Sequence, residues 1–309
     1  MSNLAALDCG TNSTRLLITN TDGVTLQREM RITRLGEGVD RTGELATTAM
    51  ARSLDVLATY AGWMKERDVH EATLVATSAV RDARNGQLFL DRAAAVTGAT
   101  VALLSGDEEA ALSFEGATHD LQPSDLVTMI VDIGGGSTEL AARVEGELVA
   151  HSMQLGCVRV AERALGPGVV SPAGVEIATS MIDAELDRAL SSRTELATLV
   201  GQVRLVGLAG TVATLAQLDA ALVQYNRAVV HHREISLDSV RKWRSLLAQE
   251  TPEQRLAHPG MVPGREDVLV GGLLILESVM ERFRCTTVLS SESDILDGLI
   301  LRLQRSKEL

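Results

Sequence analysis

Aromatic side chains are scarce in this sequence, only 2% of 309 residues, so its cores have to be packed from Ala, Val, Leu and Ile. Cysteines are few as well. Cys9, Cys157 and Cys285 are odd in number, lie far apart and form no C-x-x-C pair, so neither a disulfide framework nor a zinc site is expected. No apolar run approaches the roughly 18 residues of a membrane crossing. The richest, Val268 to Met280, is interrupted by Glu277 and reads as a buried helix. Positive charge is short too: the formal net charge is −12, and the basic residues are almost all Arg. Such a surface repels nucleic-acid backbones, and no basic stripe is interleaved with aromatics, so neither nucleic acid nor membrane is expected as a partner. Asp8 falls where an export signal would need its apolar middle, which makes a cytoplasmic protein the expectation. The histidines show no metal-ligand spacing, and the adjacent His231 and His232 read as surface or loop residues facing different ways.

What is present is a globular composition, 45% apolar and 23% charged, in a length that suits two domains. The chain also repeats itself. An apolar stretch, Leu4 to Leu7, runs into D-C-G-T-N-S at Asp8 to Ser13, and a second, Leu126 to Val131, runs into D-I-G-G-G-S at Asp132 to Ser137. A further strand follows each, Arg15 to Thr19 and Thr138 to Ala142. Each unit therefore reads as a β-hairpin with a phosphate-sized loop at its tip. Gly lets the backbone approach a ligand, and successive N–H groups with Ser or Thr hydroxyls can wrap an anion. One such loop would be an ordinary turn. Two copies, each opening a comparable half, predict two halves whose anion loops oppose each other across a cleft. Helical periodicity over Met50, Leu54, Leu57, Ala61 and Met64, a strand at Thr73 to Thr77, a helix at Leu88 to Val96 and a strand at Val101 to Leu104 make the first half α/β. The polar segment His119 to Asp125, with Pro123, sets the predicted boundary: 1–124 for the first lobe and 125–309 for the second, with the C-terminal helix free to pack back on the first. Strands at Val203 to Gly207 and Thr286 to Ser290 complete the second half.

These paired loops resemble the two phosphate loops of the actin, sugar-kinase and heat-shock chaperone superfamily. With A-T-S-A-V-R at Ala76 to Arg81, L-S-G-D-E-E-A at Leu104 to Ala110 and G-L-A-G-T at Gly207 to Thr211, the set is similar to the exopolyphosphatase/guanosine-pentaphosphatase family in its short form, without the further helical domains of long members. The resemblance implies two actin-like (ribonuclease H-like) α/β lobes, each a mixed sheet flanked by helices, with an interlobe active-site cleft. It also implies a homodimer, and inorganic polyphosphate or guanosine pentaphosphate (pppGpp) as substrate. Near the C-terminus relatives carry S-D-G-x-L-R-E-G, where this chain has S-E-S-D-I-L-D-G at Ser291 to Gly298, with Glu292 and Leu296 in the Asp and Arg positions. One cation is lost, which bears on recognition of the substrate's end.

Hydrolysis of a phosphoanhydride needs charge neutralisation, an in-line water and a base. Ser105 and Glu108 have capping-box spacing, which gives Glu108 a structural task and leaves Glu109 on another face of the helix. The resemblance makes the second acid of this E-E pair, Glu109, the catalytic base, with Glu108 in reserve. Asp8, Asp132 and Glu139 border the loops and suit a hard, oxygen-seeking ion, Mg²⁺ or Mn²⁺ in its place, and the family pattern puts acids there too. Asn12, Ser13, Gly135, Gly136 and Ser137 are the candidates for holding the terminal phosphoryl group. The resemblance makes Arg81 a phosphate-binding cation, and Arg15, just past the first loop, a second contact. A kinase using another acceptor, a non-catalytic alarmone or polyphosphate sensor, and a filament-forming protein are the alternatives from other classes.

Overall fold

In a computed structural model, which describes residues 3–306, two mixed sheets are each flanked by helices. The first sheet contains β1 (Asn3–Cys9), β2 (Ser13–Asn20), β3 (Thr25–Ile32), β4 (Val69–Ala76) and β5 (Thr100–Leu103), ordered β3-β2-β1-β4-β5. The second contains β6 (Val127–Ile133), β7 (Thr138–Val144), β8 (Glu147–Met153), β9 (Val203–Leu208), β10 (Glu234–Ser236) and β11 (Thr287–Ser290), ordered β10-β11-β9-β6-β7-β8. Set β10 aside and the second order repeats the first. In each sheet an antiparallel meander of three strands is extended by two parallel strands through helical crossovers.

Alternation along β1 explains why its sheet is covered on both faces. Ala5, Leu7 and Cys9 point into a core with Leu57, Tyr60 and Phe89. Leu4 and Ala6 point into another with Leu17, Val75, Leu112, Ile295, Leu296, Leu299 and Ile300. Aliphatic side chains fill the second unit as well, in one large cluster that includes Met129, Ile182, Leu215, Leu273 and Phe283.

The chain divides after Gly116, a few residues before the polar segment that suggested a boundary at 124, and again between Ser293 and Asp294. Residues from Asp294 onward belong to the first unit because the apolar stripe Ile295, Leu296, Leu299 and Ile300 of the Ile295–Arg305 helix is buried under β1. Asp294 caps that helix, and Asp297 closes the reciprocal capping box. Two glycines let the helix meet Gly106–Thr118 backbone to backbone. A Cβ on Gly116 would fall 1.8 Å from the Asp294 carbonyl oxygen, and one on Gly298 would fall 2.1 Å from that of Leu112. Among the described residues no helix is long and apolar enough to cross a membrane.

Replacing either of these glycines by Ala is expected to lower the melting temperature, by overpacking worth about 1–3 kcal/mol, although Ala is the better helix former. Gly62→Ala, on an exposed helix face with open space around it, is expected to raise the melting temperature through about 1 kcal/mol of helix propensity. Thermal denaturation followed by circular dichroism checks both signs.

Candidate active site

The two hairpin tips are built alike. In the first, the last antiparallel pair is Cys9–Thr14, and Gly10 N–H donates to Ser13 O at 3.0 Å across the four-residue tip. In the second, the pair is Ile133–Thr138, and Gly134 N–H donates to Ser137 O at 3.0 Å. After the third strand of each meander the chain returns beneath the tip and takes its carbonyls. Gly36 N–H donates to Thr11 O at 2.8 Å, while Thr33 and Arg34 donate to Asn12 O at 3.1 and 3.0 Å. Cys157 N–H donates to Gly134 O and Val158 N–H to Gly135 O, both at 2.9 Å. The approach is close enough to require glycine: a Cβ on Gly36 would lie 2.4 Å from Thr11 Cγ2, and one on Gly156 2.3 Å from the Gly135 carbonyl carbon. The repeat thus extends to a Leu-Gly pair in each half, Leu35-Gly36 and Leu155-Gly156. Their identical spelling was the available sequence signal for these segments.

Register places the acids. Asp8 lies opposite Arg15 in the β1–β2 pair, and Asp132 lies opposite Glu139 in the β6–β7 pair. The halves therefore match in position but differ in charge. In the first, Arg15 gives Nε and Nη2 to Asp8 at 2.9 and 2.7 Å and Nη1 to Asp294. Arg28 pairs with Asp294 and Asp297. The guanidinium of Arg15 is thus committed to carboxylates, whereas the sequence expectation gave it to phosphate. Burial raises the Asp8 carboxyl above its usual range despite Arg15. At Asp294 burial pushes the same way, but Arg15 and Arg28 outweigh it and hold the carboxyl low. Asp8 Oδ1 is buried without a hydrogen-bond partner. In the second half, two acids directly opposite each other are nearly inaccessible, Asp132 at 8% and Glu139 at 1% exposed. Ser152 donates to Glu139 Oε1 at 2.7 Å. Like charges facing across a ladder repel, and buried oxygen donors of this kind suit a hard divalent cation. The residues present fit such an ion.

The first turn of Gly106–Thr118 separates its two glutamates. Ser105 N–H and hydroxyl donate to Glu108 Oε2 at 2.8 and 2.7 Å, and Glu108 N–H returns to Ser105 Oγ at 3.3 Å. The capping box read from the sequence is present. Glu108 is exposed, and its bonds from Ser105 hold its carboxyl below the ordinary value. Glu109 points inward and is 9% exposed. Its Oε2 lies 3.2 Å from Arg81 Nη1, which also donates to Leu104 O at 2.8 Å. Arg81 Nη2 is buried with no partner, as are Asn12 Nδ2 and, beside the second tip, Thr138 Oγ1. Such orphaned donors are costly unless a ligand takes them, and Asn12 Nδ2 and Arg81 Nη2 have the chemistry to donate to an anion.

The sequence profile of the Ppx/GppA phosphatase family matches residues 17–307. This chain belongs to the Ppx/GppA phosphatase family. The chain is 36% identical over 320 residues to exopolyphosphatase 2 of Mycobacterium tuberculosis, across 98% of this chain and 99% of that one. A solved exopolyphosphatase-like protein superposes with a TM-score of 0.90 at 30% identity over 99% of both chains. The guanosine-5'-triphosphate,3'-diphosphate pyrophosphatase of Vibrio atlanticus is 29% identical over 302 residues, covering 96% of this chain and 58% of that one. The fold is the actin-like one of Ppx/GppA structures, and the protein is a hydrolase.

Three features of this Ppx/GppA phosphatase were not legible beforehand. Arg159 lies under the second tip and donates Nε to Gly136 O at 2.9 Å. The Arg265 guanidinium covers Gly210, where a Cβ would fall 1.8 Å from Cζ. His231 and His232 do not diverge: their rings stack with centroids 3.8 Å apart, because His232 adopts a left-handed φ of 59°. With Asp120 they bring three potential ligand atoms within 4.8 Å of one another, a grouping that chain spacing could not show. His231 Nδ1 accepts from Glu292 N–H at 3.0 Å, and Nε2 faces Asp120 Oδ2 at 3.0 Å. That pattern assigns a neutral ring with its proton on Nε2, a hydrogen-bonding role rather than that of a ligand. Burial and Arg227 hold the ring's pKa below the usual value.

Burial pushes all the thiols up: Cys9 far above its ordinary value, Cys157 upward, and Cys285 to about 11. A raised pKa keeps each as a protonated thiol at pH 8, where only thiolate reacts. The folded protein is expected to leave Ellman's reagent unreacted at pH 8 and to release three equivalents of thionitrobenzoate once unfolded in guanidinium. A fast-reacting native thiol would contradict this.

Proposed function

We propose that this hydrolase is an exopolyphosphatase that releases terminal orthophosphate from inorganic polyphosphate, with Glu109 as its general base. The observation that carries the assignment of the base is the division of labour within E-E. Glu108 is consumed by the helix cap, and Glu109 is buried beside Arg81, a cation with an unpaired donor. The similarity to exopolyphosphatase 2 over 99% of that protein favours the polymer.

In the proposed reaction water attacks the terminal phosphorus, its proton passes to a Glu109 carboxylate oxygen, and the bridging P–O bond breaks. The products are orthophosphate and a chain one unit shorter. Arg81 and Asn12 donate to phosphoryl oxygens, as do Ser13 and the N–H groups of Gly135, Gly136 and Ser137. Arg15 acts here through Asp8, whose charge it balances. Asp132 and Glu139, with Asp8 as a further acid, are the residues to hold Mg²⁺, or Mn²⁺ in its place. When bound, such an ion supplies charge neutralisation at the phosphoryl oxygens. The family resemblance supports a homodimer as the working assembly. A second reading, removal of the 5'-phosphate of pppGpp, is supported by the Vibrio relative.

The test is orthophosphate release with Mg²⁺ from polyphosphate and pppGpp offered separately. Glu109→Gln is expected to lower kcat by about 10²–10⁴-fold, and Glu108→Gln, which keeps a capping side chain, to stay within a few-fold of wild type. Release from pppGpp alone would promote the second reading. Tight binding of both with no release from either would make the protein a sensor.

A further inference from the structure

The tip of the second hairpin is fixed through its carbonyls, and one of those ties differs in kind. Cys157 N–H holds Gly134 O, and Val158 and Arg159 N–H hold Gly135 O at 2.9 and 3.2 Å. These are backbone bonds. Gly136 O is held by a side chain, Arg159 Nε, at 2.9 Å. Arg159 Nη2 is itself tied to Gln154 Oε1 at 3.2 Å. In the first tip the corresponding ties from 33–36 come from backbone N–H groups.

A planar trans peptide holds its C=O and the following N–H on opposite sides, and the described residues contain no cis peptide. Because the carbonyls of Gly134, Gly135 and Gly136 all face the 157–159 segment, the N–H groups of Gly135, Gly136 and Ser137 all face away from it. Among the described residues no chain acceptor takes these three N–H groups. Successive N–H groups turned one way form an anion-binding concavity. Two of them are aimed by backbone alone. The third, Ser137 N–H, is aimed by the grip of Arg159 on the opposite end of its peptide, in a loop where Gly136 adds no steric restraint of its own.

We infer that Arg159 is a positioning residue for phosphoryl transfer: by holding the Gly136 carbonyl it orients Ser137 N–H toward the charge that develops on the phosphoryl group. The inference rests on the reading of this loop as the phosphoryl-binding loop. Arg suits the task because Nε–H and Nη2–H leave one rigid plane, so Gly136 and Gln154 can be held together. Lys has a single ammonium and cannot reproduce both bonds in that geometry.

The test uses full-length Arg159→Ala and Arg159→Lys, with Arg143→Ala as control, since Arg143 donates to Gly146 O in an exposed turn away from the tip. The measurements are kcat and KM for orthophosphate release, melting temperature, and titration with methylguanidinium. Arg159→Ala is expected to lose about 10–100-fold in kcat, less than the 10²–10³ for deleting an oxyanion donor outright, with KM changed by only a few-fold. Its melting temperature should stay near that of wild type. Methylguanidinium should restore its rate saturably and leave Arg143→Ala unchanged, and Lys should not rescue. Wild-type kcat in Arg159→Ala overturns the inference. So does a loss that tracks a lowered melting temperature and does not respond to methylguanidinium. Tripolyphosphate binding in a Glu109→Gln background separates the two levels. If Glu109→Gln binds tripolyphosphate and adding Arg159→Ala changes that binding by no more than a few-fold, in step with the small change in KM, the loop reading and the positioning role both stand; a loss of binding as large as the loss of kcat overturns the positioning role. If wild type and Glu109→Gln both fail to bind it, the phosphoryl-loop reading falls and the inference falls with it.

Discussion

Backbone carbonyls can be satisfied in only a few ways, and each hairpin tip depends on that constraint. A four-residue turn that closes an antiparallel pair leaves several C=O groups pointing sideways, and burying them unpaired would be costly. In both halves the chain solves this by returning under the tip after the third strand with a Leu-Gly step whose missing side chain permits contact. Once those carbonyls are taken, peptide planarity decides where the neighbouring N–H groups point. The concave face of N–H groups is thus a consequence of how the opposite face is paired. Gly36 and Gly156, which offer no functional group, are as necessary to it as the Ser and Asn of the motif.

The two halves then diverge through one register position. Opposite the strand-end Asp, the first half carries Arg15 and the second Glu139. The first hairpin is neutralised within the chain, and Asp294 and Arg28 extend it into a buried ion network whose members compensate one another. The second hairpin sets two buried acids opposite each other, oxygen donors of the kind that suit a hard cation. A repeated scaffold thus differs between its halves by the sign of one residue.

Much of this was legible in the sequence because it rests on local patterns. The paired Asp-to-Ser loops, the strand–turn–strand that carries each and the Ser105–Glu108 cap follow from period, turn chemistry and spacing, and the structure has them at Asn3–Asn20, Val127–Val144 and the start of Gly106–Thr118. Three of the misses are long-range or backbone-specific. The ties of Arg15 to Asp294 and Arg159 to Gly136, and the stacking of His231 on His232, depend on partners distant in sequence or on one left-handed residue, which spacing does not encode. β3 was missed because its exposed, mixed-charge residues T-L-Q-R-E-M-R-I alternate weakly. The boundary at Gly116 was missed because the helix runs on past it to Thr118 before the polar segment begins.

The first unit is assembled from both ends of the chain, while the second is one uninterrupted stretch from Ala117 to Ser293. On the ribosome those ends are separated by the whole of the second unit. Residues 117–293 can complete their core as they emerge. The helix that bears Glu109 must wait, with the cluster around Leu112 incomplete, until the residues that follow the second unit supply Ile295, Leu296, Leu299 and Ile300. The order of synthesis thus makes the element carrying the proposed base wait for residues made after the second unit, so a chain cut short before Asp294 would lack that lock.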